Sequence, residues 1–306
     1  MQALYAYFKH DGESSLKKSE KELDFSINKS YDLYHYLFLI PLELADYAQG
    51  RIDLARQKRI PTFDDLHPNT RFCDNKVIEQ LRNNSDLLKY LETCKLSWKN
   101  NPELIKELYH QMISSESYNK YMNDPENSYK SDRNYLEIIF KEIVSSSESL
   151  YQVLEEQSIY WNDEGEFIIT ANIKTLSRFK QSNPEGGSLL PLFKNDEDKD
   201  FPKKLLRKVV LNHQEYGELI SKYSKNWDVE RIAFMDILLM QMAIAESIEF
   251  VSIPVKVTLN EYLELAKYYS TSRSNKFLNG ILDKIFEHLR ETNKIVKQGR
   301  GLIGDE

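Results

Sequence analysis

The chain has 306 residues, of which 41% are apolar and 12% aromatic, while Gly (10) and Pro (9) are scarce. This composition is typical of a globular, mainly helical protein with one large or two modest domains, and it excludes the disordered and fibrous classes. The net charge of −7 argues against a general nucleic-acid binder. From Lys199 onward, however, 17 Lys and Arg stand against 15 Asp and Glu, a net +2, whereas the rest of the chain has 24 against 33, a net −9. Any RNA contact is therefore expected to be local and confined to the C-terminal part.

Nothing in the sequence predicts export or membrane insertion. The longest apolar stretch, at about residues 36–45, is interrupted by Pro41 and Glu43 and is too short to span a bilayer. The first residues have neither the basic segment nor the cleavage site of a signal peptide. Two cysteines are too few for a disulfide framework and do not have metal-ligand spacing. The sequence therefore predicts a soluble, cytoplasmic protein.

Helical periodicity runs through almost the whole chain, which predicts an all-α fold. Asn101, Pro102 and Glu103 have the order of an N-cap, a proline at the first helical position and a first-turn acid, which predicts a helix to about Met122. An apolar stripe over residues 135–154 predicts a helix that ends near residue 161. A similar stripe over residues 205–220 predicts another, and Phe167, Ile168 and Ile169 are interpreted as the start of a helix rather than a strand.

Turn-forming residues predict where the helices are interrupted. Breaks are expected at Gly50, at residues 61–68, at Asp124-Pro125 and in the run NPEGG at residues 183–187. The acidic run at residues 195–200 is expected to be a solvated loop before the next helix.

The run YSTSRSNKF at residues 269–277 is a polar joint between two amphipathic segments, yet it contains two aromatic and two cationic side chains. Single-stranded RNA is bound by such a combination, because bases stack on aromatic rings and cations contact phosphates. The alternative is that Tyr269 and Phe277 cover the core between the last helices and that Arg273 and Lys276 are solvated loop cations.

Five segments of the C-terminal part occur in a specific order. They are, in chain order, WDVERIA at 227–233, an apolar helix at 235–246, IPVKV at 253–257, NEYLELAK at 260–267 and KFLNGILDK at 276–284. Together they resemble the C-terminal subdomain of the NusB family of transcription antitermination factors. The run QALYAY at residues 2–7 is similar to the family's first helix, and residues 201–223 are similar to its third.

The resemblance implies an all-α, NusB-like pair of helical bundles with an inserted helical region. On this basis residues 1–48 are expected to form NusB-like N-terminal helices, and residues 198–306 the NusB-like C-terminal helical subdomain. Residues 49–197 are expected to be an inserted helical region of unknown role, because the compact family pattern does not contain them.

The resemblance also implies a function, namely antitermination by binding single-stranded, boxA-type antiterminator RNA of ribosomal operons. The partners it implies are the small-subunit ribosomal protein NusE and the antitermination complex of RNA polymerase. The implied RNA-binding residues are Tyr269, Arg273, Lys276, Phe277, Tyr5 and Gln2. The implied partner-binding residues are the acids Asp236 and Glu230, on a surface expected to face a basic ribosomal protein.

The family's first helix is preceded by an arginine-rich segment that grips RNA, whereas this sequence begins within that helix. Either the true start lies upstream, which the missing N-cap favours, or the protein binds RNA without this arm. The net charge of −7 keeps open the alternative of a helical protein–protein adaptor without RNA binding. Neither catalysis nor a metal or cofactor is implied, because the histidines are scattered and Gly186-Gly187 lacks the strand and the lysine of a phosphate loop.

Overall fold

The computed structural model describes residues 1–10, 15–224, 232–271 and 273–303, and within these ranges the chain is all-α, as predicted. No strand occurs in the described ranges. The helices, numbered in chain order, are α1 (Gln2–Lys9), α2 (Leu16–Arg56), α3 (Phe63–Leu66), α4 (Lys76–Arg82), α5 (Ser85–Cys94), α6 (Pro102–Ser114), α7 (Glu116–Asn123), α8 (Tyr129–Ile138), α9 (Glu148–Gln157), α10 (Gly165–Leu176), α11 (Asp196–Tyr223), α12 (Phe234–Glu249), α13 (Val255–Tyr269) and α14 (Ser274–Glu291).

The chain folds into two compact units. Unit 1 contains Met1–Phe25 and Phe193–Glu306, and unit 2 contains Ser26–Leu192. These boundaries differ from those expected from the sequence, because much of residues 33–48 contributes to the core of unit 2. That residues 49–197 form an insertion relative to the family stays a prediction.

Helix α12 is the centre of unit 1. Its run LLMQMAIA at residues 238–245 is apolar nearly all round, which is typical of a helix that neighbours cover on every side. Every side chain of this run is buried, and α12 packs against α11, α13 and α14. The amphipathic stripe of α11, predicted from the sequence, contributes Leu205, Leu206 and Val209 to the same core.

Unit 2 is built around the middle of α2. The run LYHYLFLIPL at residues 33–42 is almost wholly buried, and Pro41 lies within the helix. The break predicted at Gly50 is wrong, because α2 continues to Arg56. An isolated glycine lowers helix propensity by only about 1 kcal/mol, which the packing of a long buried segment outweighs.

Two of the predicted long helices are divided into shorter ones. The helix expected from residue 101 to about 122 ends at Ser114 and restarts at Glu116, because Ser115 has extended backbone angles and caps α7 by accepting from the Tyr118 amide. The stripe over residues 135–154 spans α8, a π-helical segment at Ile139–Val144, and α9. The apolar spacing therefore predicted which side chains enter the core but not where the backbone changes direction.

The acidic run at residues 195–200 is helical, so the prediction of a loop there is wrong. Asn195 is the N-cap of α11, and its side chain accepts a hydrogen bond from the Asp198 amide at 2.8 Å. Asp196, Glu197 and Asp198 occupy the first turn, where the positive end of the helix dipole stabilises carboxylates.

The loop predicted at residues 183–187 is present and is fixed to unit 2 by side-chain amides. Asn84 donates to the carbonyl oxygens of Glu185 and Gly187, at 2.7 and 2.8 Å. Gly186 has a φ of 77°, and a Cβ atom there would lie 2.1 Å from the Phe179 ring. Only glycine satisfies both conditions, which explains a glycine at this position.

Candidate nucleic-acid interface

The joint between α13 and α14 is anchored to a buried carboxylate on α12. Asp236, in the first turn of α12, is only 5% exposed. The Ser270 hydroxyl donates to Asp236 Oδ1 at 2.5 Å, and the Ser274 hydroxyl donates to Asp236 Oδ2 at 2.8 Å. Both ends of the joint are therefore held by one side chain.

Ser274 also closes the joint from within. The Thr271 amide donates to Ser274 Oγ at 3.2 Å, and the two hydroxyls lie 2.8 Å apart. Each hydroxyl has one proton, and Ser274 gives its proton to Asp236, so the Thr271 hydroxyl is the donor to Ser274 Oγ. Asn275 adds a bond from its side-chain amide to the Leu263 carbonyl oxygen at 3.0 Å. Ser270, Thr271, Ser274 and Asn275 of the polar joint thus take part in local hydrogen bonds.

The placement of Asp236 corrects the expectation of an exposed, partner-facing acid. A carboxylate that is buried and already accepts two hydroxyl hydrogen bonds offers almost no surface to another protein. Its role in this structure is to position the joint. Glu230, the other acid expected at the partner surface, lies outside the described residues.

The two rings expected to stack on bases are both partly buried. Phe277 packs against the core of unit 1, and Tyr269 is of intermediate exposure at the last position of α13. The neighbouring Tyr268, in contrast, is 77% exposed. Of the tyrosines at the end of α13, Tyr268 therefore offers the more accessible ring.

Helical spacing explains why sequence reasoning missed Tyr268. The buried positions of α13 are Val255, Thr258, Tyr262 and Ala266, and this series continues to residue 269 at intervals of three or four. Tyr269 consequently lies on the face that packs inward, while Tyr268 lies on another face. The spacing identifies Tyr268 once the buried positions of α13 are known.

Arg273 and Lys276 lie at the start of α14, and both are exposed. Neither forms an ion pair with any residue that the structure describes. Their charges are therefore available to an anionic ligand, and the network around Asp236 fixes the backbone that carries them.

Tyr5 and Gln2 lie on α1, which packs against α11 and α12. Gln2 is exposed, and Tyr5 is 41% exposed. The Tyr5 ring meets the Phe234 ring edge-on, with centroids 5.5 Å apart, and Lys9 Nζ lies 4.4 Å from the centroid of the Phe234 ring. Phe234 begins α12, two residues before Asp236. The first turn of α12 thus contacts Tyr5 of α1 through Phe234 and the α13–α14 joint through Asp236.

In the described ranges, no three His, Cys, Asp or Glu side chains are grouped as a metal site would require. No helix within those ranges is both long and apolar enough to cross a membrane.

Comparison with known proteins extends these observations. The sequence profile of the NusB family matches residues 174–287. The transcription antitermination protein NusB of Salinibacter ruber is 37% identical over 138 residues, which are 43% of this chain and 86% of that protein. The chain belongs to the NusB family. This membership supports a role in transcription antitermination.

In two further NusB proteins the matched region is a smaller share of the protein's length. The transcription antitermination protein NusB of Chloroherpeton thalassium is 42% identical over 105 residues, 34% of this chain and 50% of that protein. The protein of the same name from Natranaerobius thermophilus is 39% identical over 80 residues, 26% of this chain and 58% of that protein. No solved structure matches the chain.

Proposed function

We propose that this protein is a non-enzymatic transcription antitermination factor that binds single-stranded, boxA-type RNA together with the ribosomal protein NusE. It would act in the cytoplasm within the antitermination complex of RNA polymerase. The observation that carries the RNA part of the proposal is the pair of exposed cations, Arg273 and Lys276, which have no ion-pair partner among the described residues and lie on a joint that a buried carboxylate holds. Fixed cations bind phosphates with little loss of conformational entropy.

Each candidate residue has a specific role in this proposal. Arg273 and Lys276 contact phosphates, and an arginine also stacks on a base. Tyr269 and Phe277 offer ring edges beside the joint, and Tyr268 adds an exposed ring. Tyr5 and Gln2 of α1 extend the site, since their helix rests on the same turn of α12.

A filter-binding titration with a short single-stranded RNA, in the presence of the ribosomal partner, tests the proposal. We expect the double variant R273A/K276A to weaken RNA binding. The salt slope, which is the steepness with which the logarithm of the binding constant falls with the logarithm of the salt concentration, should decrease by about 1.4, since each phosphate contact on a single strand contributes roughly 0.7. The matched control is K284A, which removes an exposed cation from the same helix. Equal behaviour of the double variant and the control would exclude the joint as the RNA site.

The second candidate is a helical adaptor that binds only protein, which the net charge of −7 favours. The same titration separates the two candidates. An adaptor retains its complex with the ribosomal protein and shows no RNA affinity at any salt concentration. Glu230 is the remaining candidate for the partner surface, because Asp236 is only 5% exposed.

A further inference from the structure

The end of α2 and the short helix α3 form a tip of unit 2, residues 51–67, that has no role in the proposed function. Lys58 Nζ lies 2.7 Å from Asp65 Oδ1, so the end of α2 lies beside α3. Thr62 and Asp65 form a capping box at the start of α3. An ion pair and a helix cap therefore constrain the conformation of the tip.

An aromatic pair is exposed on this tip. The Phe63 side chain is 74% exposed, and its ring centroid lies 4.5 Å from that of the exposed His67. A phenylalanine at this exposure contributes little to the core of unit 2. Proteins that bind single strands without sequence preference use such rings, because any base stacks on them.

The tip also has a net positive charge of +1. Its cations are Arg51, Arg56, Lys58 and Arg59, and its acids are Asp53, Asp64 and Asp65, of which Asp65 pairs with Lys58. Arg56 and Arg59 are exposed, and neither makes an ion pair among the residues that the structure describes. Unit 2 as a whole is acidic, with 19 Lys and Arg against 25 Asp and Glu over residues 26–192.

We infer that this tip is a second contact for single-stranded RNA, with Phe63 stacking on a base and Arg56 and Arg59 contacting phosphates. Charge complementarity favours this ligand, because two exposed arginines, with no ion pair among the described residues, belong to the same tip as the exposed ring, within an otherwise acidic unit. Ile60 and Leu54, at 84% and 70% exposed, add apolar surface to the tip. A protein that covers these apolar side chains is the competing occupant, and a failure of the RNA titration favours it.

The test is a fluorescence-anisotropy titration of the full chain with a 5′-labelled 20-nucleotide oligouridine at low and moderate salt. We expect the variant R56A/R59A to lower the salt slope by about 1.4 relative to the unmodified chain. We expect F63L, which keeps an apolar side chain but removes the ring, to weaken binding at least about fivefold with an unchanged salt slope. The matched control K76A/K130A removes two exposed lysines from the same unit.

The inference is overturned if R56A/R59A behaves as K76A/K130A does, or if F63L binds as tightly as the unmodified chain. It is also overturned if I60A weakens binding as much as F63L, because loss of an aliphatic side chain then matters as much as loss of the ring and base stacking on Phe63 is not the contact. Thermal melting checks that each variant is folded, which we expect because the substituted side chains are exposed. R273A/K276A is titrated in parallel, so that loss of the joint site and loss of the tip site are recorded separately.

Discussion

Asp236 Oδ2 accepts a hydrogen bond from Ser274 Oγ at 2.8 Å, and both residues are almost completely buried, at 5% and 2% exposed. This bond connects the first turn of α12 to the first turn of α14, the turn that also carries Lys276. Asp236, which the sequence assigned to protein binding, therefore belongs to the proposed RNA site, because it positions the joint that carries Arg273 and Lys276.

The first prediction concerns this anchor. Asp236→Asn keeps one acceptor but places an amide donor against a serine hydroxyl that previously donated, so one of the two bonds is lost. Leaving a buried polar group unsatisfied costs about 1–3 kcal/mol, and we expect the free energy of unfolding in urea to fall by that amount.

The control for this anchor is Asp283→Asn on α14, an exposed acid that should leave stability within about 0.5 kcal/mol. We also expect weaker RNA binding by Asp236→Asn at temperatures where it is fully folded, because the joint is then less ordered. An undisturbed RNA affinity in the folded variant would contradict the positioning role.

The second prediction separates the adjacent tyrosines of α13. Tyr268→Leu removes a ring that is 77% exposed, so we expect no change in unfolding free energy beyond about 0.5 kcal/mol. If Tyr268 stacks on a base, its loss weakens RNA binding by about 1–3 kcal/mol, or about 5- to 150-fold. Tyr268→Phe is the control, since it keeps the ring and should retain the affinity. Equal affinities of the Leu and Phe variants would show that Tyr268 does not stack.

Much of the fold followed from the sequence because apolar spacing reports burial. The all-α class, α10 and the stripe of α11 were predicted in this way. Helix ends were predicted less well, because single hydrogen bonds decide them. Ser115 ends one helix by capping the next. Asn195 caps α11, so that the acidic run that follows it forms the first turn of that helix.

The candidate site shows the same division. The position of the joint and its two exposed cations were predicted from composition. The burial of Asp236 was not, because its serine partners are 34 and 38 residues away and no local pattern links them. Exposure of Tyr268 rather than Tyr269 follows from the phase of a helix, which requires knowing which residues of that helix form the core.

The third prediction concerns a buried arginine of unit 2. The Arg71 side chain is 7% exposed and donates to the carbonyl oxygens of Asp124 and Glu126, with Ser131 Oγ accepting at 3.0 Å. Its guanidinium carbon lies 4.5 Å from the centroid of the Tyr121 ring. Arg71 thus fixes the segment between α7 and α8, around the break predicted at Asp124-Pro125.

We expect Arg71→Ala to lower the free energy of unfolding by about 1–3 kcal/mol, because it removes a buried side chain and leaves its partly buried acceptors, Asp124 and Ser131, without this donor. Arg71→Lys should rescue only part of this loss, since an ammonium group lacks the planar fork. Arg56→Ala is the control, because that arginine is exposed. Urea unfolding followed by circular dichroism measures the free energy of unfolding, which should decrease from the wild type to Arg71→Lys to Arg71→Ala. A full rescue by lysine would show that charge alone matters.

The last prediction is a pH dependence in unit 1. Glu246 is buried and accepts hydrogen bonds from Thr258 Oγ1 and the Tyr262 hydroxyl, both at 2.8 Å. Burial raises the pKa of Glu246 above its usual value of 4.5, although these two hydrogen bonds and the charge of Lys297 oppose the rise; the nearby Glu261 adds to it. The folded chain therefore binds this proton more tightly than the unfolded chain does.

Its contribution to stability is fully present below pH 4.5 and is lost as the pH rises through the raised pKa of the folded state. Glu246→Gln has no proton to lose, so we expect the wild type to lose stability relative to this variant as the pH rises from 4.5 and then to reach a plateau. Urea unfolding of both proteins at a series of pH values measures the difference. Glu261→Gln controls for the neighbouring exposed acid. A difference between wild type and Glu246→Gln that stays constant over this range would mean that folding does not raise the pKa of Glu246.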